Sequence, residues 1–162
     1  MVIVAFSGTP GTGKTTLAQA FARKKAWEYL DLGQYAKSRG LYDSYDISKR
    51  CYVIDTNRLN RDVLSSIKPG ANLVIDSHLS HYLPRNMVKL CVITTCSVLK
   101  ELERRLKARG YGPQKVRENL DAEIFKVCQI EATESGHKIL VLDTCQLSTK
   151  ECLEKIEQEL GK

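Results

Sequence analysis

The first candidate for chemistry is a phosphate-binding pattern near the start of the chain. The stretch Gly8–Thr16, GTPGTGKTT, fits G-x-x-x-x-G-K-[ST] and follows the apolar run 2–6. Its glycines let the backbone curl around an anion, and the helix expected to follow adds the positive end of its dipole. In such a loop Lys14 reaches the β- and γ-phosphates, while the Thr15 hydroxyl coordinates Mg²⁺. The flanking strand and helix patterns make a plain glycine-rich turn the weaker interpretation, so a nucleoside triphosphate site is predicted.

A second candidate is an acidic residue at the end of an apolar run. LVIDSH, residues 73–78, places Asp76 where a buried strand would end at a sheet edge. A carboxylate in this position holds Mg²⁺ in many nucleotide-binding proteins. His78 lies two residues further on, so it projects to the same side in extended geometry. Alone, His78 is equally well interpreted as an ordinary loop histidine. Beside the phosphate-binding pattern, Asp76 is predicted to be a magnesium ligand.

A third candidate is the densely basic segment 104–117, RRLKARGYGPQKVR. Its composition predicts a helix end, a Gly/Pro turn and a new helix start. Arginine offers fixed bidentate geometry to phosphate oxygens that gain charge during transfer. Arg105 and Arg109 are four residues apart, so they share one helix face and can converge on the same phosphates. The segment is predicted to be a lid that closes over phosphates, with Arg104 and Lys107 on a solvated face.

The polar and aromatic stretch 29–46, YLDLGQYAKSRGLYDSYD, allows two interpretations. Its aromatic side chains could stack on a base, while Lys37 and Arg39 could hold a second phosphate. The alternative is a helical hairpin packed by tyrosines. The chemistry of these residues alone does not decide between the two.

Length and charge limit the class of protein. The 162 residues fit one domain, 1–162, and carry a net charge of +6 with a pI near 9.0. A basic balance favours polyanionic partners such as nucleotides, RNA or a ribosomal surface. No apolar run approaches the roughly 18 residues of a membrane helix, and no export pattern precedes the first predicted strand. A cytoplasmic protein without a membrane partner is therefore expected.

The cysteines show no metal-binding spacing. The six cysteines, at positions 51, 91, 96, 128, 145 and 152, form no C-x-x-C pair. They are expected to be reduced thiols without a zinc site, although a disulfide of the kind found inside hyperthermophiles is not excluded.

Strands and helices are expected to alternate along the chain. Strands are predicted at 2–6, 27–30, 72–76, 88–95 and 138–143, and helices at 14–25, 57–67, 97–108, 113–134 and 148–160. Ser148 and Glu151 have the spacing of a capping box at the start of the last helix. This alternation predicts an α/β fold with a mostly parallel sheet, helices on both faces and the ligand at the C-terminal ends of the strands.

Five motifs together resemble the adenylate kinase 6 family. They are GTPGTGKTT, LYDSYD, VIDSH followed by YLP, ARGY, and ENLDAEIF with Glu131-Ala132. The family is an archaeal and eukaryotic group that combines adenylate kinase and ATPase activities with a role in maturing the small ribosomal subunit. The resemblance covers nearly the whole chain. It implies a P-loop NTPase fold with a five-stranded parallel sheet, a nucleoside monophosphate (NMP) segment at about 31–54 and a short lid at about 108–118.

The resemblance also implies roles for individual residues. The family's ATP contacts fall on Gly11, Gly13, Lys14, Thr15, Thr16 and Arg109. Its D-x-H element falls on Asp76 and His78. The expected catalytic set is Lys14, Asp76, His78, Arg105 and Arg109, with Thr15 and Asp76 as Mg²⁺ ligands. ATP and AMP are the implied substrates, and a small-subunit ribosomal protein and pre-ribosomal RNA are the implied partners.

Some positions depart from the pattern of common nucleoside monophosphate kinases. Lys37 and Arg39 compete for the place of an arginine in the NMP-segment helix, and the Pro84-Arg85 pair has a different spacing from an AMP-binding arginine. Asn119 and Asp121 stand where ordinary adenylate kinases keep further catalytic arginines. The short lid also lacks the four cysteines that hold zinc in some larger enzymes, so zinc is not expected.

Two other classes of function compete with a nucleotide kinase. A GTPase would need an N-K-x-D element and a D-x-x-G switch, and neither occurs in the chain. The remaining alternative is an assembly factor that binds a ribosomal protein or rRNA and uses ATP as a switch, without physiological AMP turnover.

Overall fold

The computed structural model describes residues 1–46 and 51–162, which are organised around a five-stranded parallel sheet. The strands are β1 (Ile3–Gly8), β2 (Glu28–Asp31), β3 (Ser44–Asp46), β4 (Cys51–Val53), β5 (Leu73–Asp76), β6 (Leu90–Thr95) and β7 (Ile139–Asp143). The helices are α1 (Lys14–Lys25), α2 (Leu32–Ser38), α3 (Thr56–Ser66), α4 (Leu99–Ala108), α5 (Pro113–Ile124), α6 (Val127–Glu134) and α7 (Thr149–Leu160). The parallel strands lie in the order β2-β5-β1-β6-β7, while β3 and β4 form a separate antiparallel hairpin.

The sheet brings the ends of its strands to one edge. All six residues of β1 are buried, as expected for a central strand covered on both faces. In the register of the sheet, Phe6 lies beside Asp76 of β5 and beside Val92 of β6. Because the strands are parallel, the loop after Gly8 and the carboxylate of Asp76 emerge at the same C-terminal edge.

Two hydrophobic clusters cover the two faces of the sheet. On one face, Ile3 and Ala5 pack with residues of α2, α3 and α6. On the other face, Val4 and Phe6 pack with residues of α1 and α7. Because successive side chains of a strand point to opposite faces, β1 serves both clusters. The predicted α/β layers are confirmed, and the strand that leads into the phosphate-binding loop is held from both sides.

The segment 113–134, predicted as one helix, forms two helices. Phe125 caps the end of α5, and Lys126 adopts a left-handed conformation with a φ of 54° before α6 begins. A left-handed residue interrupts the helical hydrogen-bond pattern and redirects the chain. The change of direction brings Ala132 of α6 into the core against β1. The capping box at Ser148 and Glu151, by contrast, is present as predicted.

The stretch 29–46 contains both regular structure and cleft-lining residues. It forms the end of β2, the helix α2 and the first strand of the hairpin. Asp31 caps α2, because its side chain accepts a hydrogen bond from the backbone N–H of Gln34 at 2.9 Å. Tyr35 connects α2 to α3 by donating to Asp62 Oδ1 at 2.6 Å. The predicted NMP segment 31–54 includes residues 47–50, which lie outside the described residues.

Two cysteines form a disulfide, so the expectation of reduced thiols was wrong for this pair. Cys96 and Cys145 are bonded across 49 residues of sequence, with their Cα atoms 5.3 Å apart. Cys96 directly follows β6 and Cys145 lies shortly after β7, and these neighbouring parallel strands end side by side. Cys91, Cys128 and Cys152 are free thiols. Within 1–46 and 51–162, no helix is long and apolar enough to cross a membrane.

Candidate nucleotide site

The phosphate-binding loop, or P-loop, joins β1 to α1 and leaves the first turn of α1 open. Gly13 is the N-cap in a left-handed conformation, with a φ of 82°, and no side chain caps the helix. The N–H groups of this turn are therefore available to an anion at the positive end of the helix. Gly8 permits a close approach, because a Cβ there would lie 2.4 Å from the carbonyl oxygen of Thr94. Thr15 and Thr16 are exposed in the same turn.

Threonines from β6 and from the loop after β7 fix the shape of the P-loop. The Thr12 hydroxyl donates to the Thr9 carbonyl at 2.7 Å and lies 2.8 Å from the Thr94 hydroxyl. Thr144, which follows β7, donates to the carbonyl oxygen of Thr12 at 2.7 Å. The sequence did not point to Thr144, although its place after the last strand puts it at the same sheet edge as the P-loop.

Lys14 and Asp76 meet at the centre of the site. Lys14 Nζ is 3.8 Å from Asp76 Oδ1, and only 3% of the Asp76 side chain is exposed. Burial lowers the pKa of Lys14, and the Asp76 carboxylate partly opposes this effect. Asp76 Oδ1 has no hydrogen-bond partner among the described residues. This buried oxygen and the exposed Thr15 hydroxyl fit Mg²⁺, which prefers one or two protein oxygens together with water and phosphate oxygens.

Tyr29 holds the other oxygen of the same carboxylate. Its hydroxyl donates to Asp76 Oδ2 at 3.0 Å, from the strand β2 that pairs with β5. Burial and the Asp76 carboxylate both raise the pKa of Tyr29, so the hydroxyl keeps its proton. The sequence placed Tyr29 only within a generally aromatic stretch. Its contact with Asp76 depends on the pairing of β2 with β5.

A cleft of about 490 Å³ lies between the P-loop, the end of α4 and the loop after β7. The predicted ATP contacts that line it are Gly11, Gly13, Thr16 and Arg109. The basic segment also contributes Arg105, Ala108 and Arg104, the last of which was predicted to lie on a solvated face. Arg105 donates from Nη1 to the Gly11 carbonyl at 3.2 Å and from Nε to Glu101 at 2.8 Å. The positive charge of Arg109 also contributes to the lowered pKa of Lys14. The two arginines predicted to share a face therefore line the same cleft as the P-loop, and Arg105 contacts the loop directly.

A second cleft, of about 360 Å³, lies beside the loop that follows Asp76. His78 lines it, together with Tyr42 and with apolar residues of α2 and α3. His78 is exposed at the edge of the cleft. The walls of the cleft nevertheless desolvate its ring and lower its pKa, and the charge of Lys14 acts in the same direction. His78 is therefore a neutral imidazole near neutral pH, and it lines the second cleft but not the first.

The basic residues predicted as possible ligands of a second phosphate differ in their surroundings. Lys37 is exposed on α2. Arg39 lies 3.4 Å from Asp62 and stacks over the Tyr35 ring, so its charge is already partnered on the surface. Arg85 lies against Gly136, close to where a Cβ of that residue would be. None of these three residues lines the second cleft as described.

A cluster of a buried serine, a buried histidine and a partly exposed glutamate lies next to the P-loop. Ser7 Oγ is 2.7 Å from Nδ1 of His81, and His81 Nε2 is 3.0 Å from Glu131 Oε2. The second contact has an ion-pair distance without good hydrogen-bond geometry. These residue types occur in nucleophilic triads, but the Ser7 side chain is fully buried. The cluster therefore connects the end of β1 to α6 and offers no nucleophile to a substrate.

Comparisons with known proteins agree with this geometry. Residues 4–126 match the family model described as "AAA domain". A relative from Thermococcus kodakarensis is 36% identical over 155 residues, which cover 96% of this chain and 83% of that protein. The "Adenylate kinase isoenzyme 6 homolog FAP7" of Saccharomyces cerevisiae is 33% identical over 146 residues, or 90% of this chain and 73% of its own.

The fold also has a counterpart among solved structures. The shikimate kinase of Bacteroides thetaiotaomicron superimposes with a TM-score of 0.66 over 99% of both chains, at 16% sequence identity. That similarity identifies the fold of P-loop kinases, and the sequence relatives identify the family within it. The chain belongs to the adenylate kinase isoenzyme 6 family.

Proposed function

We propose that the protein is an adenylate kinase, which transfers the γ-phosphoryl group of ATP to AMP to give two ADP, and that it also hydrolyses ATP. The observation that carries this proposal is the pair of clefts beside Lys14 and Asp76, one lined by the P-loop and the other by His78 and Tyr42. Gly13, which precedes Lys14, lines the first cleft, and Ser77, which follows Asp76, lines the second. The two clefts therefore suit a donor and an acceptor nucleotide that meet near this pair. The yeast relative is an adenylate kinase isoenzyme 6 homolog, which supports the same pair of substrates.

The residues at the sheet edge account for the transfer in this proposal. The N–H groups of the P-loop bind the triphosphate, and Lys14 places a positive charge beside its terminal phosphates. Thr15 and Asp76 would hold Mg²⁺, which neutralises charge on the β- and γ-phosphates when it is bound. Arg105 and Arg109 stabilise the charge that develops on the transferred group. Desolvation keeps these interactions strong as the lid segment 108–118 closes.

The two acceptors make different demands on the site. The phosphate of AMP is already ionised at neutral pH, so its attack requires no general base. Water must be oriented and must lose a proton. We assign this second task to His78, because it is neutral near pH 7 and lines the cleft on the acceptor side of Asp76.

We further propose a role in maturing the small ribosomal subunit, with a ribosomal protein and pre-ribosomal RNA as partners. The net charge of +6 suits an RNA-rich particle, and the family resemblance supports the role. The competing function is an ATP-switched assembly factor without AMP turnover. The exposed apolar side chains of Ile124, Phe125 and Ile130 favour a protein-binding role, because such clusters often mark interaction surfaces.

The test compares ADP production with and without AMP. Purified protein is incubated with Mg²⁺ and ATP, and nucleotides are separated by chromatography. An adenylate kinase forms two ADP for each ATP consumed only when AMP is present, and Lys14→Ala abolishes this product. An analogue that joins two adenosines through five phosphates should bind much more tightly than ATP, because its second contact is intramolecular. If ADP forms at the same rate with and without AMP, and the analogue binds no more tightly than ATP, the adenylate kinase proposal is refuted. That result would support the ATP-switched assembly factor.

A further inference from the structure

The disulfide between Cys96 and Cys145 lies one residue away from a contact that shapes the P-loop. Cys145 follows Thr144, which lines the first cleft and donates from its hydroxyl to the Thr12 carbonyl at 2.7 Å. Cys96 follows Thr95, whose carbonyl oxygen accepts a hydrogen bond from the Thr144 N–H at 3.0 Å. The disulfide therefore joins the loop that carries Thr144 to the strand end on which Thr144 rests.

The same disulfide belongs to the hydrophobic cluster between α4 and α5. Cys96 is buried with Leu102 and Leu106 of α4, and the partly buried Cys145 packs against them. A Cβ at Gly11 would lie 2.9 Å from Leu102 and 3.3 Å from Leu106, so the cluster touches the P-loop there. Closely packed interiors transmit displacements from one side chain to the next. The disulfide is therefore connected to the P-loop by two routes, through the loop after β7 and through the leucines of α4.

The surrounding structure also suits the reduced form. The strands β6 and β7 remain paired by their backbones. Asp143 Oδ1 accepts from the N–H groups of Cys145 at 2.9 Å and Ser97 at 3.3 Å, which keeps the two loops close together. Cys96 Sγ lies 3.4 Å from the Val98 carbonyl oxygen, which can accept a hydrogen bond from the thiol of the reduced form. Reduction is therefore expected to loosen the two loops without unfolding the sheet.

We propose that the Cys96–Cys145 disulfide is a redox switch for the nucleotide site, and that its reduction by a dithiol weakens ATP binding. The inference rests on ATP binding in the first cleft and does not depend on the identity of the acceptor. With the bond in place, the loop that carries Thr144 is held in the shape that supports the P-loop. Without it, the free protein visits other loop conformations, and ATP must select the competent one.

The exchange converts one disulfide and one dithiol into two cysteine thiols and a new disulfide. Cys145 is half-buried whereas Cys96 is 1% exposed, so a thiolate of the reductant attacks Cys145 Sγ. The S–S bond breaks with its electron pair on Cys96 Sγ, which takes up a proton. The second thiol of the reductant then attacks the mixed disulfide, and Cys145 leaves as a thiolate that is protonated in turn. Two electrons pass from the reductant to the protein.

The experiment measures ATP affinity in the two redox states of the whole protein. Calorimetry with ATP and Mg²⁺ is carried out on protein treated with glutathione disulfide and on protein reduced with dithiothreitol. Alkylation followed by mass spectrometry reports the state of Cys96 and Cys145. Reduction should raise the Kd for ATP by about tenfold, within the usual range of coupling between two sites, and reoxidation should restore it.

Two variants test whether this pair is responsible. Cys145→Ser cannot form the bond, so its Kd should match that of the reduced wild type and should not change with dithiothreitol. Cys91→Ala is the matched control, because it removes a free thiol from β6 and leaves the disulfide in place. Its Kd should respond to dithiothreitol as that of the wild type does.

Thermal unfolding separates a switch from a disulfide that only stabilises the fold. If reduction lowers the Tm but leaves the Kd for ATP unchanged, the inference is overturned. It is also overturned if dithiothreitol does not reduce the disulfide in the folded protein. Should Cys145→Ser fail to fold, the two states of the wild type still decide. A protein that binds ATP in neither state would contradict the proposed nucleotide site itself, whereas redox-dependent ATP binding without AMP phosphorylation would contradict only the proposed kinase activity.

Discussion

Replacing Tyr29 by phenylalanine tests how far the Asp76 carboxylate depends on a single hydrogen bond. The variant removes the hydroxyl that donates to Asp76 Oδ2 at 3.0 Å, and Asp76 is only 3% exposed, so water has little access to replace it. A hydrogen bond to a charged group contributes about 1.5–3 kcal/mol. In a protein of this length, 1 kcal/mol shifts the Tm by about 2–4 °C, so we expect the Tm to fall by about 3–12 °C.

Tyr35→Phe is the matched control for this experiment. It also removes a tyrosine hydroxyl that donates to an aspartate, at 2.6 Å, but 33% of the Asp62 side chain is exposed to solvent. Water can replace that donor, so the loss should stay below about 1 kcal/mol.

Metal binding gives the second readout for Tyr29→Phe. Loss of a group that orients a metal ligand typically weakens metal binding by about 10- to 100-fold. Calorimetric titration of Mn²⁺ into the ATP-bound variant should therefore show a weaker affinity, and Tyr35→Phe should not. Equal Tm values and equal Mn²⁺ affinities in the two variants would refute the idea that Tyr29 positions Asp76.

Three further predictions follow from the charges around the clefts. Arg109→Ala should reduce kcat by about a hundredfold with little change in the Kd for ATP, and a loss confined to affinity would make Arg109 a binding residue. His78→Ala should slow ATP hydrolysis more than AMP phosphorylation. Because the pKa of His78 is lowered, ATP hydrolysis by the wild type should decline only below pH 6.5. Equal losses of hydrolysis and AMP phosphorylation in His78→Ala would contradict a role for His78 in activating water. Hydrogen bonds from Arg104 and Arg105 lower the pKa of Glu101 to about 2, so the ionised side chain stabilises the fold above pH 4.5 and this contribution is lost as the pH falls toward 2. The Tm of Glu101→Gln should accordingly lie below that of the wild type at pH 7 and coincide with it near pH 2.

The parts of the site that depend on local sequence were predictable. The P-loop, the position of Asp76 at a strand end and the convergence of Arg105 with Arg109 each follow from spacing within a few residues. The sheet could be predicted too, since alternating strands and helices allow few other arrangements. Lys126 shows where local reasoning fails, because the hydrophobic pattern continues across a residue whose backbone turns left-handed.

The parts that depend on contacts between distant residues were not predictable. Tyr29 and Asp76 are 47 residues apart, and their hydrogen bond requires β2 to lie beside β5. Cys96 and Cys145 are 49 residues apart, with no spacing that marks them as partners. In both cases the order of the strands decides the contact. One amino-acid sequence by itself does not specify the order of the strands in the sheet.

The hydrogen bond from Thr144 to Thr12 has a consequence for when the protein becomes active. These residues are separated by 132 positions, so one of the donors that shape the phosphate-binding loop is synthesised long after the loop itself. Contacts between such distant segments require most of the chain to be ordered first. A growing polypeptide therefore carries the complete GTPGTGKTT motif without a finished pocket until Thr144 has been added. Binding of ATP to the finished pocket therefore requires the whole sheet to have assembled.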